Sequence, residues 1–302
     1  MSLQQAYKSG KLRNKVKKAY REFRNCRLCP QKCSVNRLAD EIGSCGIGKF
    51  PIVSGAAPHR GEEPPLSGSS GSGTIFFSGC SLNCVYCQNY DISQKLRGNT
   101  FTIPELARTM LRLENKGCHN INLVTPSHVI YPILAALYLA AGEGLDLPVV
   151  YNSSGYDSLK ALELMDGVVD IYMPDFKYGS DEAGKRYSQI EEYYSKASKA
   201  IEEMYRQVGK LTVDEKGIAT SGLLIRHLVL PEGAAETKNI MEFIAKKLSA
   251  DNYVNIMRQY YPSYQAGNFP ELAKRPDGED FRRAHRSARD SGIDPGTLPE
   301  SI

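Results

Sequence analysis

Seven of the eight cysteines fall into two groups whose spacing suits metal ligation. Cys80, Cys84 and Cys87 stand in the stretch SGCSLNCVYCQNY (78–90). Thiolates favour zinc, copper(I) or iron–sulfur clusters, but three are one fewer than a closed site uses. A [4Fe–4S] cluster held by three thiolates leaves one iron open to another ligand. Zinc with three thiolates and a water needs the same set, although Cys-x3-Cys-x2-Cys directly after a strand is an uncommon spacing for it. The second group, Cys26-x2-Cys29-Pro30-x2-Cys33-x11-Cys45-Gly46, supplies four thiolates. That set completes either a zinc site or a fully ligated iron–sulfur cluster, and spacing does not choose between them. Lys32 and Arg37 are expected to lower the neighbouring thiol pKa values. Cys118 stands apart beside His119.

These side chains need a frame. From about residue 74, short β-branched or aromatic runs alternate with helical patterns, the mark of parallel βα units. The runs are 74–77, 120–124, 148–151, 169–173, 223–230 and 253–257, with helices expected near 103–116, 128–142, 157–165, 181–208 and 236–249. Thr102, Pro104 and Glu105 form a helix-start signature. An α/β fold follows, a partial (β/α)6 barrel (71–265). It is preceded by an extension (1–70) made of a basic helix and the four-cysteine metal-binding segment. It is followed by a polar tail (266–302), either wrapping or partly disordered. Parallel barrels place their chemistry at the C-terminal ends of the strands. There the chain sets the three-cysteine loop, then Thr125, Ser127 and His128, then Asn152 and Ser153, then Asp175 and Lys177, and finally Gln259, Tyr260 and Tyr261. Arg226 and His227 lie within one strand on opposite faces.

Composition narrows the class. The chain of 302 residues carries a net charge of +4. Residues 1–37 hold eleven Lys or Arg against the single acid Glu22, which fits a solvated amphipathic helix or a contact surface for an acidic protein. No nucleic-acid motif accompanies it, so no nucleic-acid partner is expected. No apolar run approaches the roughly 18 residues of a membrane span, and MSLQQAYKSG lacks the apolar centre of a secretory signal. A cytoplasmic protein without disulfides, and with no membrane partner, is the expectation. Glu62-Glu63, ahead of two prolines, reads as a solvated charge pair, His128 as a helix cap or site contact, and Cys118-His119 as packing.

The Cys80/Cys84/Cys87 spacing, with aromatic Tyr86 before the last cysteine, resembles the motif of the radical S-adenosylmethionine (SAM) enzymes. That likeness implies a [4Fe–4S] cluster whose open iron binds SAM. One electron then yields methionine and a 5′-deoxyadenosyl radical that abstracts hydrogen from a substrate. Asp175-Phe176-Lys177, Met173 and Asn152-Ser153 resemble elements of the activating enzymes of glycyl-radical enzymes. By that likeness Asp175, Asn152 and Ser153 hold the methionyl end of SAM or a cation, Lys177 its carboxylate, and Tyr86 and Arg226 neighbour the cofactor. Along nearly its full length the chain resembles the PflX-like homologues of pyruvate formate-lyase activating enzyme. Thr125-Pro126-Ser127-His128 departs from the Gly-Gly-Glu often found after the second strand. The resemblance implies an oxidoreductase with a protein or peptide substrate and an electron donor such as flavodoxin or ferredoxin. The alternatives are a small metabolite or RNA as substrate, or an iron–sulfur electron-transfer or scaffold protein.

Overall fold

The computed structural model describes residues 2–296. Its sheet consists of β1 (Ile52–His59), β2 (Ser72–Phe77), β3 (Asn99–Thr100), β4 (Ile121–Val124), β5 (Val149–Ser153), β6 (Ile171–Pro174), β7 (Thr212–Val213), β8 (Ala219–Leu228) and β9 (Tyr253–Met257). The parallel strands run in the order β2-β4-β5-β6-β8-β9, an open barrel. β1 adds antiparallel to β2, β3 pairs β1, and β7 pairs the start of β8.

Helices fill the connections: α1 (Leu3–Lys8), α2 (Lys11–Glu22), α3 (Pro64–Ser67), α4 (Tyr90–Ser93), α5 (Ile103–Asn115), α6 (Ile130–Gly142), α7 (Leu159–Met165), α8 (Asp181–Ser188), α9 (Tyr193–Val208), α10 (Thr237–Phe243) and α11 (Gly278–Asp290). The capping box expected at Thr102 and Glu105 opens α5. The basic N-terminal segment is two helices, broken at Gly10 with φ +74. Its Leu12 and Ala19 are buried, and the Tyr20 and Phe23 rings meet Tyr131 of α6 at 5.3 and 5.1 Å.

Alternation sorts the strand residues into two faces. Ile75, Leu123, Tyr151, Tyr172, Ile225 and Val254 join the main core under the helices. Val150, Ile171, Met173 and Leu224 form a smaller cluster inside the bore, together with Leu66 of α3. That short helix is tied to the N-terminal end of the barrel, where Asn120 Nδ2 donates to the Leu66 carbonyl at 2.9 Å.

Three elements differ from expectation. β1 carries Gly55 and Pro58 and a register shift near Val53, a weak strand signature that only an edge strand tolerates. The helix expected over 181–208 is two, parted by Gln189 and Glu192 in left-handed conformation. Within the tail, α11 is a regular helix with an Asp277–Asp280 capping box, and it buries Ala284 and Ala288. Residues 297–302 of that tail lie outside the described residues.

Two buried histidines set a pH response. His227 faces the helices, its Nδ1 on the Phe176 carbonyl at 2.8 Å and its Nε2 on Thr237 Oγ1 at 2.9 Å. His128 is buried with Nε2 on the Ser78 carbonyl at 2.8 Å. Burial pushes both imidazoles down to about 4. The unfolded chain protonates them near 6.5, so stability is lost as pH falls from there towards about 4. Burial raises Asp170 to about 6, which gains stability over the same interval, so the test is a difference. Between pH 7 and pH 5 the metal-free wild type should lose roughly 2 kcal/mol more than His227→Gln in urea unfolding. Equal losses would contradict this account.

Candidate functional site

The three-cysteine loop leaves β2 at Phe77 and is pinned from several sides. Ser78 Oγ donates to the Arg97 carbonyl at 2.7 Å, and the Asn83 and Val85 amides donate to the Ser188 and Tyr187 carbonyls at 3.0 and 2.9 Å. Gly79 has φ +82, and a Cβ there would lie 2.4 Å from the Cys45 carbonyl oxygen. Only glycine serves at such a position.

Each sulfur of the loop has a donor or hydroxyl beside it. The Leu82 amide lies 3.4 Å from Cys80 Sγ, Ser188 Oγ 2.9 Å from Cys84 Sγ, and Ser93 Oγ 3.2 Å from Cys87 Sγ. Such contacts orient thiolate ligands and tune the metal they hold. Burial pushes the Cys80 thiol up to about 12 and raises Cys84 as well, where Lys177 opposes the rise. Ligation must therefore displace protons. Three sulfurs on one short loop form a soft donor set, one that suits zinc, copper(I) or an iron–sulfur cluster.

Below the loop lies a buried ionic network. Arg226 Nε donates to Asp175 Oδ1 at 2.8 Å, Nη2 to Asn152 Oδ1 at 2.8 Å, and Nη1 to Glu62 Oε2 at 3.3 Å. Lys177 Nζ donates to Asp175 Oδ2 at 2.8 Å, and Asn255 Nδ2 to Glu63 Oε2 at 2.7 Å. Burial alone would raise the Asp175 carboxyl, but Arg226 and Lys177 outweigh it and hold the group below the ordinary range. Burial raises Glu63 despite Arg226 and Asn255. The reading of Glu62-Glu63 as solvated charges is thus corrected: both side chains turn into the bore, carried there by the segment that ends in α3. No periodicity marks them, because they sit on a loop whose path only the closed barrel defines.

Cys84, Tyr86, Cys87, Asp175, Lys177 and Arg226, together with Gln88, Leu228, Met257 and Gln259, border one cavity of about 240 Å³. Asn152 reaches it through Arg226. Ser153 points away, its Oγ accepting from the Gly155 amide at 3.1 Å. Tyr86 packs edge-on against Tyr178 and Tyr260, at 6.3 and 5.8 Å. His128 does not cap α6; its ring holds the Ser78 carbonyl instead. Thr125, at the departure from Gly-Gly-Glu, has φ 60, a strained conformation for a β-branched residue. Cys118 is buried and His119 Nε2 accepts from the Ser70 amide, both far from the cavity at the N-terminal end of the strands.

The four-cysteine segment packs against this loop. Cys26, Cys29 and Cys45 are buried and Cys33 is partly exposed. Arg37 does lower the Cys45 thiol, as expected, but burial outweighs it and the net shift is upward. Burial also pushes Cys29 up to about 12.

Removing one member of a buried ion network leaves the others uncompensated. Arg226→Met is expected to destabilise the metal-free chain by roughly 3–5 kcal/mol, and Arg226→Met/Glu62→Gln by less than the single change, measured by urea unfolding. Equal or additive losses would show that Glu62 and Arg226 do not interact.

The sequence pattern of the Radical SAM superfamily matches residues 74–244. Over 291 residues the chain is 35% identical to "Uncharacterized protein MJ0674" of Methanocaldococcus jannaschii, a match covering 93% of this chain and 79% of that protein. The crystal structure of Streptococcus suis SuiB bound to precursor peptide SuiA matches with a TM-score of 0.48 and 11% identity, over 70% of this chain and 43% of that one. SuiB bound to S-adenosylmethionine matches with a TM-score of 0.46 and 12% identity, over 70% and 44%. This chain spans less than half the length of those SuiB structures.

Proposed function

The chain belongs to the Radical SAM superfamily, and on that premise we propose that it cleaves SAM reductively at a [4Fe–4S] cluster on Cys80, Cys84 and Cys87, the 5′-deoxyadenosyl radical so formed taking a hydrogen atom from a protein or peptide. The observation that carries this reading is the single cavity bordered by Cys84, Cys87, Asp175, Lys177 and Arg226. It joins a set of soft ligands to a pair of opposite charges with room beside them.

The residues divide the work. Lys177 offers an ammonium ion to a carboxylate, in competition with the Asp175 oxygen it now holds. Asp175, kept ionised by its two cations, accepts from an amino group. Arg226 spends its donors on Asp175, Asn152 and Glu62, so it acts as a brace for the acceptors rather than as a ligand. Tyr86, Leu228 and Met257 supply apolar walls that exclude water. Thr125 and the carbonyls near it are the acceptors available where the usual Gly-Gly-Glu is replaced.

A polypeptide substrate is supported by the rim. Tyr90 and Tyr264 stack at 5.0 Å, and Tyr261 and Tyr264 are 41% and 38% exposed. Gln88 Nε2 donates to the Gln259 carbonyl at 3.0 Å, holding the cysteine loop beside this aromatic edge. Rigid, amphipathic tyrosines suit peptide contacts. The likeness of Asp175-Phe176-Lys177 to the glycyl-radical activators points the same way. The reducing electron would come from a carrier of the flavodoxin or ferredoxin kind.

Anaerobic loading with iron and sulfide, then addition of reductant and SAM, should yield methionine and 5′-deoxyadenosine. Cys80→Ala, Cys84→Ala or Cys87→Ala should abolish that yield. Lys177→Ala should weaken SAM binding about ten- to hundredfold, the worth of a charged hydrogen bond. An intact, reduced cluster that gives no 5′-deoxyadenosine would refute the proposal.

A further inference from the structure

We propose that Cys26, Cys29, Cys33 and Cys45 hold a second iron–sulfur cluster, with Arg37 as its buried counter-charge. Short contacts draw the segment together, and Cys33 Sγ lies 3.9 Å from the Cys26 carbonyl oxygen. The Cys26 amide donates to the Val35 carbonyl and the Ser34 amide to the Cys26 carbonyl, each at 2.9 Å, which folds the Cys26–Cys33 arm on itself. The Lys32 amide donates to the Cys29 carbonyl at 3.1 Å, which curls the Cys29–Cys33 arm as well. A Cβ on Gly43 would lie 2.6 Å from Cys33 Sγ, so only glycine lets the chain pass that sulfur.

Arg37 is the telling residue. It is 1% exposed. Its Nε donates to the Gly48 carbonyl at 2.8 Å, Nη1 donates to the His128 carbonyl, and its plane covers the Phe23 ring at 4.2 Å. Nη2 has no partner, and no carboxylate pairs with the guanidinium among the described residues. An unpaired buried cation costs several kcal/mol. Cys45 and His128 both lie within reach of its charge. A metal centre with four thiolates is net anionic, so it would answer both the charge and the free N–H. Neutral thiols would answer neither.

Four thiolates complete a zinc site or a cluster alike, and the choice of a cluster rests on its place against the Cys80 loop. A redox-active centre there could pass an electron to its neighbour, whereas zinc has no redox chemistry. Loading replaces four S–H protons by Fe–S bonds and releases the protons to solvent. The segment is fixed against the Cys80 loop at three places. The Cys45 carbonyl abuts Gly79, Gln31 Nε2 donates to the Ser81 carbonyl at 2.8 Å, and the Arg37–His128–Ser78 chain runs behind them.

The test does not depend on SAM chemistry. The full chain with Cys80, Cys84 and Cys87 all changed to Ala, reconstituted without oxygen, should retain about four iron and four sulfide per chain. Wild type should bind about eight of each, which keeps the count decisive if the triple variant does not fold. One zinc without sulfide, no metal, or only four iron in wild type would overturn the assignment. Arg37→Gln keeps amide donors and removes the charge. It should lower the midpoint potential of the cluster in the triple variant relative to Arg37→Lys; equal potentials would overturn the role of Arg37.

Discussion

The guanidinium of Arg226 is the constraint on which the site depends. A cation inside a barrel bore has to be answered by fixed oxygens, and three separate elements supply them. Asp175 follows β6, Asn152 comes from β5, and Glu62 rises from the loop ahead of α3. Because the fork of Arg226 is planar and directional, satisfying it fixes the relative height of β5, β6 and β8. Asp175, locked by that fork, in turn holds Lys177 at the edge of the cavity. The polar bore thus sets the positions of the charges that face the cysteine loop, while Leu66 and its apolar neighbours close the bore beneath.

Above this layer the two cysteine segments behave as one body. The Cys45 carbonyl occupies the space that a side chain at Gly79 would need, and His128 and Arg37 link the loop after β2 to the segment after α2. The N-terminal helices then dock on α6 through Tyr20, Phe23 and Tyr131. Their Lys and Arg side chains lie mainly towards solvent, which leaves a basic outer face on these helices.

Much of this is legible in the sequence, for physical reasons. Thiol spacing is a local property, and so is the alternation of a parallel strand. The three-cysteine loop, the parallel strands and the inward Arg226 with its outward partner His227 can therefore be read directly. β1 cannot, because glycine and proline are tolerated at an edge and erase its pattern. Glu62 and Glu63 read as surface charges because burial of a loop carboxylate depends on a distant partner, here Arg226 and Asn255. Ser153 groups with Asn152 by resemblance, yet neighbours on a strand face opposite sides, and its hydroxyl turns to Gly155. Thiol acidity comes out with the wrong sign because local cations are visible in a sequence and burial is not.

The central claim is that the cluster on Cys80, Cys84 and Cys87 keeps one iron open and that SAM takes it. The most direct measurement is the electron paramagnetic resonance spectrum of the anaerobically loaded, one-electron-reduced chain, recorded with and without SAM. The account predicts that SAM shifts a signal that is lost in the Cys84→Ala variant. A spectrum unaltered by saturating SAM would contradict it.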